Sequence, residues 1–126
     1  MNLPTLREQW QQCCEVTPDI RTRFGVDAAI DYLVGEKLMA LARRGERHPE
    51  MVTELPAFAE RVRHLFTGVE IRAHFARAEH AALIEPDILK GATADEIEDF
   101  EELIAERKSE RDRRAWVQAM LLRTGN

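Results

Sequence analysis

Apolar side chains recur every three to four positions along the whole chain, and no run of β-branched or aromatic residues alternates with period two. Segments with that spacing hide one flank by coiling and packing against each other, so the sequence predicts an all-α protein. Breakers divide the pattern. A first helix is expected to enter at Pro4 or Thr5, to carry Leu6, Trp10, Cys13 and Cys14 inward, and to end at Thr17-Pro18, with residues 18 to 25 as a loop. The second, Val26 to Arg44, has a broad stripe of Val26, Ile30, Leu33, Leu38 and Leu41 and is expected to stop at Gly45.

His48-Pro49 predicts a short helical turn through Met51, Val52 and Leu55, and Pro56 suits the first turn of a helix burying Phe58, Val62, Leu65 and Phe66. Thr67 with Glu70 has capping-box spacing and starts a helix running to about Ile84. Glu85-Pro86 ends it, Gly91 and Thr93 close the next loop, and Thr93 with Glu96 repeats the capping spacing before a last helix from Ala94 to Arg123. The expected fold is one domain, residues 1–126: a bundle of five to six helices with a long, charged C-terminal helix.

Of the residues, 44% are apolar and 33% charged, enough for a core and a solvated exterior without a disulfide or metal staple. The opening Met1 to Trp10 contains Pro4, Arg7 and Glu8 and no apolar run, so neither a signal peptide nor an anchor is expected there. No stretch has the roughly 18 apolar residues of a membrane span, and the expected place is the cytoplasm. Cys13 and Cys14 are adjacent, too close for relaxed disulfide geometry, and are expected as reduced thiols with one in the core. A net charge of −5 opposes generic coating of DNA or membranes.

Two helical faces stand out. On the second helix Ala28, Gly35 and Ala42 line up opposite the main stripe. A mid-helix glycine costs about 1 kcal/mol relative to alanine, so close approach of another helix is the reason to keep it, whether from this chain or a second copy. Lys37 falls between Leu33 and Leu41 on the main stripe; a buried lysine there would be a base or anion anchor, and the favoured structural alternative is a lysine that reaches the edge or pairs with an acid. The last helix has six acids from Asp95 to Glu102 and five bases from Arg107 to Arg114. Its apolar stripe of Ile97, Phe100 and Ile104 is interrupted by Lys108 and Arg111 and returns as Ala115, Trp116, Val117, Met120, Leu121 and Leu122, which cover nearly the whole circumference. That surface predicts docking of the C-terminal turns into a second subunit, with folding back onto Trp10 and the first helix as the alternative.

Chemistry has little support in the residues. His48, His64, His74 and His80 lack a convergent Glu-x-x-His pattern: Glu60 and His64, like Glu70 and His74, are four apart, with His64 toward water and His74 at the flank of its stripe. No metal or cofactor is expected. Ser109 is the only serine, and no nucleophile elbow, phosphate loop or dinucleotide fingerprint occurs, so a helical-bundle enzyme would have no identifiable catalytic set. The basic segment 61–77, with Arg61, Arg63, Arg72 and Arg77 around the Phe66-Thr67-Gly68 connection, fits a helix-turn-helix DNA-binding regulator as the second reading. The leading reading is a small helical protein-interaction protein of the adaptor or scaffold kind that self-associates as a homodimer, with Ala28, Gly35, Ala42, Trp116, Val117, Met120 and Leu121 as interface candidates.

Overall fold

The computed structural model describes residues 5–84 and 94–123; the side chains of 83, 84, 94–104 and 107 fall outside that description. Among the described residues there is no strand. The chain forms α1 (Leu6–Phe24), α2 (Val26–Ile30), a π-helical segment (Asp31–Leu38), α3 (Met39–Arg47), the single turn α4 (Pro49–Val52), α5 (Leu55–Leu65), α6 (Gly68–Ile84) and α7 (Ala94–Leu122). Because α2, the π segment and α3 run on without a break, they make one central rod. The bundle therefore has five principal helices and one short turn, as the spacing predicts. The Glu85-Pro86 break, the Gly91–Thr93 loop and the Thr93 cap lie outside the described residues, and the Ile97, Phe100 and Ile104 stripe has no described side chains.

The first helix differs from expectation. Thr5 opens it with a reciprocal cap, its Oγ1 accepting from the Glu8 amide at 3.2 Å while Glu8 Oε2 accepts from the Thr5 amide at 3.1 Å. It then passes through Pro18 and ends only at Phe24. Proline removes one backbone donor, which would ordinarily break or kink the helix. Two hydroxyls bond within that stretch instead: Thr17, 1% exposed, donates to the Cys13 carbonyl at 2.7 Å, and Thr22 donates to the Pro18 carbonyl at 3.0 Å. The turn comes at Gly25, whose φ of 97° is a left-handed conformation that glycine adopts without strain.

The rod also runs past its predicted stop. Gly45 is buried inside α3 beneath α4 and α5, where a Cβ would make ordinary contact with Leu55 Cδ1 at 3.5 Å and Val52 Cγ2 at 3.6 Å, and the helix ends at Arg47. More consequential is the π segment. Its i→i+5 hydrogen bonding turns the chain less per residue than an α-helix, so faces drawn at 100° per residue drift across Asp31–Leu38. Leu33, Val34 and Leu38 are fully buried, and Gly35 turns toward α6. Lys37, placed on the stripe by α-helical spacing, is instead exposed with its ammonium 5.4 Å from the centre of the Tyr32 ring.

The core surrounds this rod. Its fully buried large side chains are Ile30, Leu33, Leu38, Leu55, Ile71 and Leu121, and Trp10 tilts against Phe58 with ring centres 5.2 Å apart. The rod meets α1, α5, α6 and α7. Thr67 and Glu70 form the predicted capping box, with Glu70 Oε1 accepting from the Thr67 amide at 2.9 Å and Thr67 Oγ1 accepting from the Glu70 amide at 3.1 Å. The Glu70 carboxyl is held below its usual range by that amide and by Arg21, whose guanidinium lies 2.9 Å away.

Candidate functional site

Docking of α7 decides which surfaces are free. Expected to insert into another subunit, its C-terminal turns instead pack in this chain against α3, α5 and α6, with Val117 and Leu121 in the core at 0% and 1% exposure. Nor do they fold mainly onto the first helix, as the alternative had it. The physical reason lies in the charged stretch that precedes them. Arg43 and Glu46 of α3 face Glu110 and Arg113 of α7: Arg43 clamps Glu110 at 2.8 and 3.1 Å, Arg113 clamps Glu46 at 2.8 Å through two nitrogens, and Arg113 also bonds Glu110. Bidentate guanidinium–carboxylate pairs carry geometric specificity and fix the register of one helix on the other. Arg43 depresses the Glu110 carboxyl, and Arg113 depresses that of Glu46. On the opposite flank Arg111 reaches Glu79 at 2.9 Å and Arg114 donates to the Ala78 carbonyl at 3.2 Å.

Against this background Trp116 is an exception. Its neighbour Val117 is buried, yet the indole is 47% exposed and stands beside Val52, 41% exposed. Between α7 and the α3–α5 region lies a groove of about 380 Å³ walled by Ala42, Gly45, Val52, Leu55 and Trp116, with Glu46, Asp112 and Arg113 at its polar side and Ser109 also on its wall. Such a volume falls in the range of specific binding sites. Trp116 and Ala42 are thus brought together at one groove. Ala28 is half-buried, Gly35 faces α6, and Met120 is half-buried with its carbonyl accepting from Arg63 at 2.9 Å.

The small-residue face has a second occupant. A Cβ on Gly35 would lie 3.2 Å from His74 Cε1. His74, set at the flank of its stripe by spacing, is 6% exposed, and its Nδ1 lies 2.7 Å from Asp31 Oδ1 on the π segment. An ionised carboxylate only accepts, so Nδ1–H donates and Nε2 keeps its lone pair. Burial pushes the imidazole below its usual pKa, and Asp31 only partly opposes this. Arg77 adds contacts to Asp27 at 3.2 Å and to Asp31 at 3.6 Å. The ring borders a cavity of about 330 Å³ shared with Met39, Ala78, Glu110 and Arg114. An imidazole oriented by a carboxylate is the arrangement of a general base, but no hydroxyl or thiol lines this cavity. Here the pair ties the π segment to α6.

A pH dependence follows from that burial. The folded His74 pKa is depressed, so below about pH 6.5 the unfolded chain takes up a proton that the folded chain refuses. Stability is whole above that pH and falls as the pH drops toward the folded value. Urea unfolding at pH 7.5 and 5.5 is expected to show this decline in the wild type and a shallower one in His74→Gln.

The basic residues of 61–77 do not share a face. Arg61 donates to Gln11 of α1 at 2.8 Å, Arg63 turns to α7 and to Glu60, Arg77 binds the acids of α2 and the π segment, and Arg72 alone lies exposed along the α6–α7 cleft. His48, His64 and His80 are exposed. Among the described residues no group of three or more His, Cys, Asp or Glu could hold a metal ion, and no helix is long and apolar enough to cross a membrane. Cys14 is buried, and burial raises its thiol pKa; Cys13 is half-buried and also unpaired.

Sequence reasoning missed Asp31 and underweighted His74. The signal was a charge pattern: Asp27 and Asp31 share a face at i,i+4, and His74 and Arg77 share one at i,i+3. Fold and grooves define the class as a single all-α bundle with helix-lined clefts. No family model, curated protein or solved structure matches the chain.

Proposed function

We propose that the protein is a small helical interaction module that self-associates through the Trp116 groove. The observation that carries this is self-complementarity: one patch holds both a half-exposed indole and, beside it, an apolar groove of about 380 Å³. A twofold arrangement lets each copy fill the other's groove, because an isologous interface pairs the same surface with itself. Tryptophan is the side chain most enriched among residues that dominate binding energy. Ala42 and Gly45 keep the floor low enough to admit a ring. The two unpaired thiols suit a reducing compartment, and we place the protein in the cytoplasm.

Sedimentation of the full chain at high micromolar concentration is expected to give a dimer, and Trp116→Ala or Val52→Asp a monomer with at least tenfold weaker association. Both side chains are partly solvated, so their removal is expected to leave the melting temperature within a few degrees of wild type. A full-length monomer under those conditions would overturn the proposal.

A further inference from the structure

The cavity beside His74 lies between the rod, α6 and α7 and shares no wall residue with the Trp116 groove. Its shape follows from the sequence of α6, where Ala78, Ala81 and Ala82 fall at i, i+3 and i+4 and so share one face. Alanine ends at Cβ, and with Gly35 and Met39 on the rod about 330 Å³ stays unfilled, within the range of small-molecule sites.

Two independent features of this cavity point to a ligand. The first is an unused acceptor. His74 is 6% exposed and its Nδ1–H is committed to Asp31, which leaves the lone pair on Nε2. Among the described residues the side-chain polar atoms sealed from solvent without a partner are Trp10 Nε1 and Arg77 Nη2. His74 Nε2 has no partner among the described residues and is not sealed, so the cavity that the ring borders reaches it. The second feature is the backbone. Asp31 and Gly35 both belong to the π segment, and π-helical turns are rare and frequent at functional sites. One turn of it sets the Asp31 carboxylate on Nδ1 and brings Gly35 to the opposite edge of the ring, where a Cβ would lie 3.2 Å from Cε1 and 3.8 Å from Nε2. Glycine keeps that edge clear.

We infer that this cavity binds a small, flat, neutral molecule of the phenol class, whose hydroxyl donates to His74 Nε2 and whose ring lies on the alanine face of α6. The chemistry selects each part. A lone pair requires a donor, and a phenolic O–H, acidified by its ring, is a better one than an aliphatic hydroxyl. Gly35, Met39 and the alanines offer dispersion contacts to a thin apolar body. A charged ligand is not required, because Glu110 is held by Arg43 and Arg113, and Arg114 by the Ala78 carbonyl and Glu79. Asp31 fixes the tautomer, so the acceptor is in place before the ligand arrives.

Titration of the full chain with phenol at neutral pH, followed by nitrogen-resolved NMR of the histidine side chains, tests this. The His74 Nε2 resonance is expected to move saturably, in the direction of a nitrogen that accepts a hydrogen bond, with half-saturation in the millimolar range, while the exposed His48, His64 and His80 stay in place. Toluene has the same shape without the hydroxyl and is expected to cause no such displacement. Ala78→Leu, at a half-buried position, puts a side chain into the cavity and is expected to weaken phenol at least tenfold. Should that variant fail to fold, Ala81→Leu at an exposed position of the same wall takes its place. An Nε2 resonance that phenol leaves unmoved would overturn the inference, as would an equal displacement by toluene or an undiminished response in the filled cavity.

Discussion

Gly35→Leu is expected to lower the melting temperature by about 10 °C. Gly35 sits directly under His74 of α6: even a Cβ would lie 3.2 Å from His74 Cε1, tighter than ordinary contact, and the nearest alternative space is bounded by the Asp31 side chain. A leucine must push the imidazole away from Asp31. Overpacking typically costs about 1–3 kcal/mol, and loss of the Asp31–His74 hydrogen bond adds about 1 kcal/mol, for roughly 3 kcal/mol together. For a domain of this length that is about 10 °C. Helix propensity pulls the other way, since leucine is favoured over glycine by under 1 kcal/mol, and it does not reverse the sign. Differential scanning calorimetry checks the outcome; an unchanged midpoint would mean that the rod and α6 are not in contact at Gly35.

Removal of residues 112–126 is expected to abolish cooperative unfolding. The deletion takes Arg113, which is the centre of the α3–α7 clamp, together with Val117 and Leu121 from the core. Truncating one fully buried leucine to alanine typically costs about 2–5 kcal/mol, and whole domains have about 5–15 kcal/mol to lose. Leu121→Ala is the milder version, with an expected loss of about 2–5 kcal/mol and a fold that survives. If the C-terminal turns served a second subunit, the truncated chain would instead be a well-folded monomer. Near-ultraviolet circular dichroism and a thermal melt distinguish the two: a sharp transition in the truncated chain would show that α7 is not part of its core.

Where the residues spoke plainly, they did so through local rules. The Thr67–Glu70 cap needs only two side chains three positions apart, and it forms as spacing predicts. Pro18 illustrates the opposite. Its local rule is to end a helix, yet Thr17, buried against the core, bonds back to Cys13 and the helix continues for six more residues. Lys37 is a third kind of case, because its placement was inferred from a 100° step that the π segment does not obey.

Helical class, the number of principal helices and the Thr67–Glu70 cap were written in spacing and turn chemistry, because hydrogen bonds within a helix and its burial stripe depend on residues three and four apart. Which helix covers which was not. Val117 and Leu121 could bury themselves in this chain or in another with the same gain in apolar area, and the choice fell to the pairing of Arg43, Glu46, Glu110 and Arg113, residues 67 positions apart at their widest pairings. His74 likewise became buried only because Asp31, 43 residues away, arrived opposite it together with Gly35. Such meetings depend on how whole helices cross, and no local period encodes that.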